Sequence, residues 1–138
     1  MTNPERDAHR YRIFVDLDGV LSDFDTAVKD VTGHFPWELP ESRMWPRLAK
    51  TPEFYANLPW MPDGYELWSY IRGHRPVVLT GVPRGKWAEQ QKRDWCAREL
   101  GEDVPVITCF SRQKPEKAWD HLVAEGDTRA TPVLIDDR

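Results

Sequence analysis

An α/β fold with a parallel sheet is predicted by three features of this sequence: short apolar runs of strand formers, helical segments between them, and acids or a hydroxyl at the strand ends. Arg12-Ile13-Phe14-Val15 reads as a buried parallel strand, because it is short and a turn-forming Asp-Gly pair follows closely. Pro76-Val77-Val78-Leu79 repeats the pattern and ends at Thr80. Residues 104–109 give a third strand, and Pro132-Val133-Leu134-Ile135 a fourth that ends at Asp136.

Helices fill the intervals. Asp63 is suited to cap a helix bearing Tyr65, Trp68 and Ile71 on one face, with Gly73 as its stop. Trp87, Ala88, Trp95, Cys96 and Leu100 line a second helix that Gly101 ends. Pro115 suits the first turn of a third, running through Ala118 and Leu122 to Gly126. Crossovers between such parallel strands are right-handed.

The stretch from about Gly33 to Pro62 breaks the alternation. It holds six of the twelve prolines together with Phe35, Trp37, Trp45, Phe54, Tyr55 and Trp60. Proline at that density predicts short helices and turns and no long regular element. Thr51-Pro52-Glu53 has the pattern of a helix start, with Thr51 as cap. The organisation expected is one domain over residues 1–138, with a core at about 11–23 and 63–138 and an insert at about 24–62, hinged near Asp23 and Pro62. That insert is either an irregular piece of core or a cap over a site.

Bulk composition narrows the classes. With 138 residues, 40 % hydrophobic and 30 % charged, the chain suits one self-sufficient globular domain and not a disordered one. A net charge of −4 and the lack of a long basic run argue against gripping extended nucleic acid through its phosphates. A single nucleotide needs only a local cluster of donors. Cys96 and Cys109 are too few and too far apart for a disulfide framework or a zinc site, and read as reduced core residues. The polar residues 1–10 lack a signal-peptide run, and no apolar stretch approaches a membrane span. A cytoplasmic protein with no membrane partner is expected.

The chemistry concentrates in Phe14-Val15-Asp16-Leu17-Asp18-Gly19-Val20-Leu21-Ser22-Asp23. Asp16 and Asp18 leave the carboxyl end of a buried strand, where open α/β sheets place their ligands. Asp136-Asp137 leave the end of the last strand, and sheet topology can bring the two pairs together. Two such charges about 4 Å apart repel by about 4 kcal/mol at an effective dielectric near 20, so a divalent cation is called for. Hard oxygen ligands without a nearby His or Cys favour magnesium. His9, His34, His74 and His121 show no ligand spacing.

Two of these segments, residues 15–24 and 134–138, make the sequence resemble the haloacid dehalogenase-like superfamily of phosphohydrolases, and within it the 5′(3′)-deoxyribonucleotidases and related small nucleotidases. The resemblance runs from about residue 12 onward and implies a Rossmann-like parallel sheet with a small helical cap after the first strand. It also implies a magnesium-dependent phosphomonoesterase. Asp16 matches the nucleophile that forms an aspartyl-phosphate, and Asp18 the acid/base. Dehalogenases lack an acid at that second position. Thr80, with backbone N–H groups of Gly81 and Val82, matches the phosphate-binding hydroxyl. Lys114 matches the lysine that neutralises the phosphoenzyme, with Lys117 as rival. Asp136 matches the metal-binding acid beside Asp16 and Asp18, and Asp137 a ligand that acts through water or by supporting the direct ligands. A nucleoside monophosphate held by Phe24, Phe35, Trp37 and Trp45 is the implied substrate, since aromatic faces stack on any base.

Other readings of the same residues stay open. The aromatics are also ordinary core material, and Asp137-Arg138 also suits a surface ion pair. The same motifs suit a phosphatase that trims nucleic-acid ends, or a non-catalytic metal- and phosphate-binding regulatory module. The superfamily usually continues past the second acid pair through a further helix and strand. An unpaired sheet edge there is a route to a homodimer.

Overall fold

The computed structural model describes residues 11–137; the polar residues 1–10, with His9, and Arg138 lie outside the described residues. Strands β1 (Tyr11–Val15), β2 (Val77–Gly81), β3 (Val106–Cys109) and β4 (Thr131–Ile135) form one four-stranded sheet in the order β3-β2-β1-β4. Every pairing is parallel. The helices are α1 (Phe24–Thr32), α2 (Glu41–Lys50), α3 (Gly64–Ile71), α4 (Glu89–Glu99) and α5 (Lys114–Glu125).

Alternation along the strands explains why helices cover both faces. Phe14, Val77 and Leu79 point to one side and pack with Ala118 and Leu122 of α5. Val15 and Val78 point to the other side and pack with Trp68, Ile71 and Trp95 of α3 and α4. Both central strands are therefore largely apolar along Ile13–Val15 and Val77–Leu79, as a strand buried on two faces requires, with Arg12 and Thr80 as the buried polar exceptions. Cys96 and Cys109 are free and buried. No helix among the described residues is long and apolar enough to cross a membrane.

The insert is anchored at its base. Asp23 N–H donates to the Pro59 carbonyl at 2.8 Å and Met61 N–H to the Leu21 carbonyl at 2.7 Å, closing a short antiparallel contact where the chain leaves and returns. Asp23 also caps α1, its carboxylate accepting from the Thr26 N–H at 3.2 Å and the Thr26 hydroxyl at 2.8 Å. Val28, Met44, Leu48, Phe54 and Leu58 of the insert belong to the same buried cluster as Val15 and Trp95. The insert is thus packed core as well as a roof over the carboxyl ends of the strands.

Several local expectations do not hold. Residues 41–50 form a ten-residue helix with Pro46 inside it. Pro46 and Ser42, whose carbonyl loses its partner, both face solvent, so water can satisfy that oxygen. Thr51 ends α2, its N–H donating to Leu48, and residues 52–57 form turns where a helix start was expected. Asp63 stands at the head of α3 but its side chain makes no cap bond, and Tyr65 lies on the exposed face. Gly73 does not end α3. A short 3-10 turn continues through it, and Arg75 takes the left-handed conformation, at φ +54°.

Beside the start of β1, Arg12 is buried and donates to Glu125 at 2.6 Å and Asp127 at 2.9 Å, tying the strand to the end of α5. The Arg12 hydrogen bond holds the Glu125 carboxyl below its ordinary value of 4.5. This stabilisation is complete above that value and is lost as pH falls through the lower, folded-state value. Arg12→Leu is expected to cost about 3 kcal/mol in urea unfolding at pH 7. The gap from wild type should narrow below pH 4.5; a gap that stays constant into acid would contradict the pairing.

Candidate active site

The strand order makes β1 the switch point. The chain steps outward from β1 to β2 and β3, then returns to lay β4 on the other side of β1. Ligands of open α/β sheets bind at the carboxyl ends flanking such a reversal. Val15 lies in register with Ile135, and the Asp16 N–H donates to the Ile135 carbonyl at 2.9 Å. That register brings Asp16 and Asp136 side by side.

The turn after β1 folds tightly around Leu17, whose carbonyl accepts from the N–H groups of Val20, Leu21 and Ser22. Gly19 sits in it at φ +82°, and a Cβ there would collide with the Asp137 carboxylate. Glycine is needed twice over, for the backbone angle and for the approach of β4's second acid. Carboxylate oxygens of Asp16, Asp136 and Asp137 lie within 4.8 Å of one another, an arrangement that could hold a metal ion. All three donors are hard oxygens, which fits magnesium, calcium or manganese better than a softer metal.

Lys114, at the head of α5, supplies the cation already present. Its Nζ lies 2.9 Å from Asp136 and 3.3 Å from Asp16, with the lysine almost wholly buried. Burial pushes the Asp16 carboxyl up to about 7, against the pull of Lys114 and with the help of Asp18 and Asp136. Asp136 goes the other way, down to about 2: burial is outweighed by side-chain hydrogen bonds with Lys114, Asp137 and Asp16. Burial also disfavours a charged Lys114, but its two acids hold it above its ordinary value. Among the described residues the Lys114 ammonium contacts two carboxylates, Asp16 and Asp136, and Asp137 completes an acidic cluster that a cation would balance.

Asp18 stands apart from that cluster. Its Oδ2 accepts from Lys92 Nζ at 2.9 Å and its Oδ1 from the Ser22 hydroxyl at 3.2 Å. Lys92, on α4, is 1 % exposed and also donates to the Thr80 hydroxyl at 3.0 Å and the Gly81 carbonyl at 2.6 Å. Its ammonium lies 4.6 Å from the Tyr55 ring centroid. Nothing in the immediate sequence marks this lysine, which sits between Gln91 and Arg93. It does fall on the helical stripe of Ala88, Trp95 and Cys96, and that spacing was the available signal.

Above the acids lies a cavity of about 670 Å³. Of the sequence-predicted residues, Asp16, Asp18, Gly81, Val82, Lys114, Asp136 and Asp137 line it, as do Phe24 and Trp45. Tyr55, Ser111 and Arg112 line it too and were missed. Phe35 and Trp37 are not brought there: they stack on each other at 4.6 Å, with Trp37 out in solvent. Thr80 is fully buried with its hydroxyl against Lys92, outside the lining, and the Val82 N–H is spent on the Cys109 carbonyl at 2.9 Å. The hydroxyl at the cavity wall is instead that of Ser111, close against Gly81. Lys117 does not line the cavity, so Lys114 is the lysine the fold puts beside Asp16.

Fold and site together define an α/β protein with an all-parallel sheet and an acidic crevice at its switch point. No protein-family model and no curated protein matches the sequence.

Lys92→Met keeps most of the volume and removes three hydrogen bonds, to buried Thr80 and half-buried Asp18 and Gly81. It is expected to cost about 2–4 kcal/mol in urea unfolding, and Lys92→Arg should restore little because the planar fork does not fit a point-charge site. An unchanged unfolding midpoint for Lys92→Met would contradict the structural weight given to this lysine.

Proposed function

We propose that this chain is a magnesium-dependent phosphomonoesterase of the haloacid dehalogenase-like type, forming an aspartyl-phosphate on Asp16 and acting on a nucleoside monophosphate. The observation that carries the proposal is the setting of Asp16. It ends the switch-point strand, lines the cavity, lies 3.3 Å from Lys114 and shares the acid cluster with Asp136 and Asp137.

The residues divide the work as follows. Asp16 Oδ1 accepts the Leu17 N–H at 2.8 Å, which fixes the carboxylate as a nucleophile must be fixed. Its oxygen attacks phosphorus, the bond to the leaving oxygen breaks, and Asp18 gives that oxygen a proton. Water then attacks the aspartyl-phosphate while Asp18 takes a proton back. Ser22 and Lys92 hold the two Asp18 oxygens, so the group works from one orientation. Lys114 offsets the charge that gathers on the phosphoryl oxygens. Asp16, Asp136 and Asp137 would hold a magnesium ion, which would supply the countercharge a dianionic phosphate needs among carboxylates. Phe24 and Trp45 offer aromatic surface for a base, at about 1–3 kcal/mol per stacked base.

Phosphate release from p-nitrophenyl phosphate, nucleoside monophosphates and sugar phosphates, with magnesium or with EDTA, tests this. Turnover should require the metal and fall on the order of 10³-fold or more in Asp16→Asn. Turnover that survives Asp16→Asn would contradict the nucleophile, and faster turnover of the sugar phosphates would contradict the substrate.

A further inference from the structure

We propose that a groove adjoining the catalytic cavity is a second phosphate-binding site, so that the preferred substrate is a nucleotide carrying another phosphate group beyond the one cleaved. The inference rests on the phosphatase reading for its first site and on separate residues for its second.

The groove has a volume of about 870 Å³ and continues from the catalytic cavity, with Trp45, Ser111 and Arg112 lining both. Its outer part is built by the segments that follow β2 and β3, which supply Arg84, Trp87 and Phe110. Two arginines therefore face it against a single acid, Glu41, at the boundary between the two spaces. In a chain of net charge −4, this is a local reversal of sign next to a phosphate site. Neither arginine has an ion-pair partner among the described residues, so their charge is available to a ligand. Arg112, which lines both spaces, lies over the Phe110 ring at 5.6 Å. A guanidinium fork matches two phosphate oxygens at once, which an ammonium cannot do.

Size points the same way. Pockets of roughly 300–1,000 Å³ enclose one drug-sized ligand, so the catalytic cavity alone has room for a mononucleotide. The groove adds space for a second unit of similar size, walled by Trp45, Trp87 and the partly exposed Phe110. Aromatic faces with arginines between them suit a base and a phosphate together. Both a nucleoside bisphosphate and the phosphorylated end of a short strand present that chemistry.

Calorimetric titration of Asp16→Asn in magnesium, which leaves the ligands uncleaved, separates these sources. The ligands are thymidine 5′-monophosphate, thymidine 3′,5′-bisphosphate and the 5′-phosphorylated thymidine dinucleotide. At least one two-phosphate ligand should bind roughly ten-fold more tightly than the monophosphate. Adding Arg84→Ala, an exposed position outside the catalytic cavity, should abolish that advantage. A gain for the bisphosphate alone identifies a nucleoside bisphosphate, and a gain for the dinucleotide alone a strand end. Equal affinity for all three, or an advantage that survives Arg84→Ala, overturns the proposal. Failure of the phosphatase reading would show separately, as absent phosphate release by the wild-type protein, and leaves this comparison of affinities intact.

Discussion

Three carboxylates meeting at the ends of β1 and β4 are the constraint to which the rest of this structure answers. At an effective dielectric near 20, each neighbouring pair of charges repels by about 4 kcal/mol at about 4 Å, and the parallel register of the two strands brings Asp16 and Asp136 together regardless. Lys114 relieves part of that repulsion from the first turn of α5. Its placement is set by the turn before the helix, where Gln113 Oε1 accepts the Phe110 N–H at 3.0 Å, and by Pro115 in the first turn. Burial, with Asp18 and Asp136, raises the Asp16 carboxyl to about 7, so that near neutral pH its proton is readily held. A divalent ion would displace that proton and complete the charge balance.

Asp18 is handled differently, and the difference matters for chemistry. It faces its own ammonium, Lys92, which α4 drives through the packed core to the sheet end. The two acids of one short loop therefore have different cation partners, Lys114 beside β4 and Lys92 on α4, while the Asp18 charge still helps to raise the Asp16 carboxyl. Environment, more than residue type, assigns distinct roles to a pair of carboxyls. The same helix ties in the insert: Trp95 donates to the Leu58 carbonyl at 2.8 Å, and Gln91 accepts the Tyr55 N–H at 2.8 Å. Roof and floor of the cavity thus share one packed cluster, so the aromatic wall stands over the acids without a separate domain.

Much of this was legible in the sequence. The four strands, their parallel arrangement and the acids that end the first and last follow from short apolar runs and helical spacers; burial on both faces accounts for the two central strands, while β4 is largely exposed at the edge. What stayed hidden depends on tertiary packing. Lys92 looks like part of a polar run until the sheet places a carboxylate above it. Thr80 was legible as a strand-end hydroxyl, but that same lysine takes it out of the cavity. Val82 loses its N–H to a pairing with Cys109 that only the β2–β3 register reveals. Pro46 misled because part of proline's cost is the lost hydrogen bond, and here the freed carbonyl faces water. Phe35 and Trp37 satisfied each other by stacking.

The central claim is that Asp16 carries the phosphoryl group, and trapping the intermediate tests it most directly. The wild-type protein would be quenched in acid during turnover of a nucleoside monophosphate and reduced with borohydride, which converts an aspartyl-phosphate to homoserine. Peptide mass spectrometry would then locate the change. The account predicts homoserine at position 16 and nowhere else, formed only when magnesium is present. Turnover with Asp16 unmodified, or with the label at another acid, would contradict it.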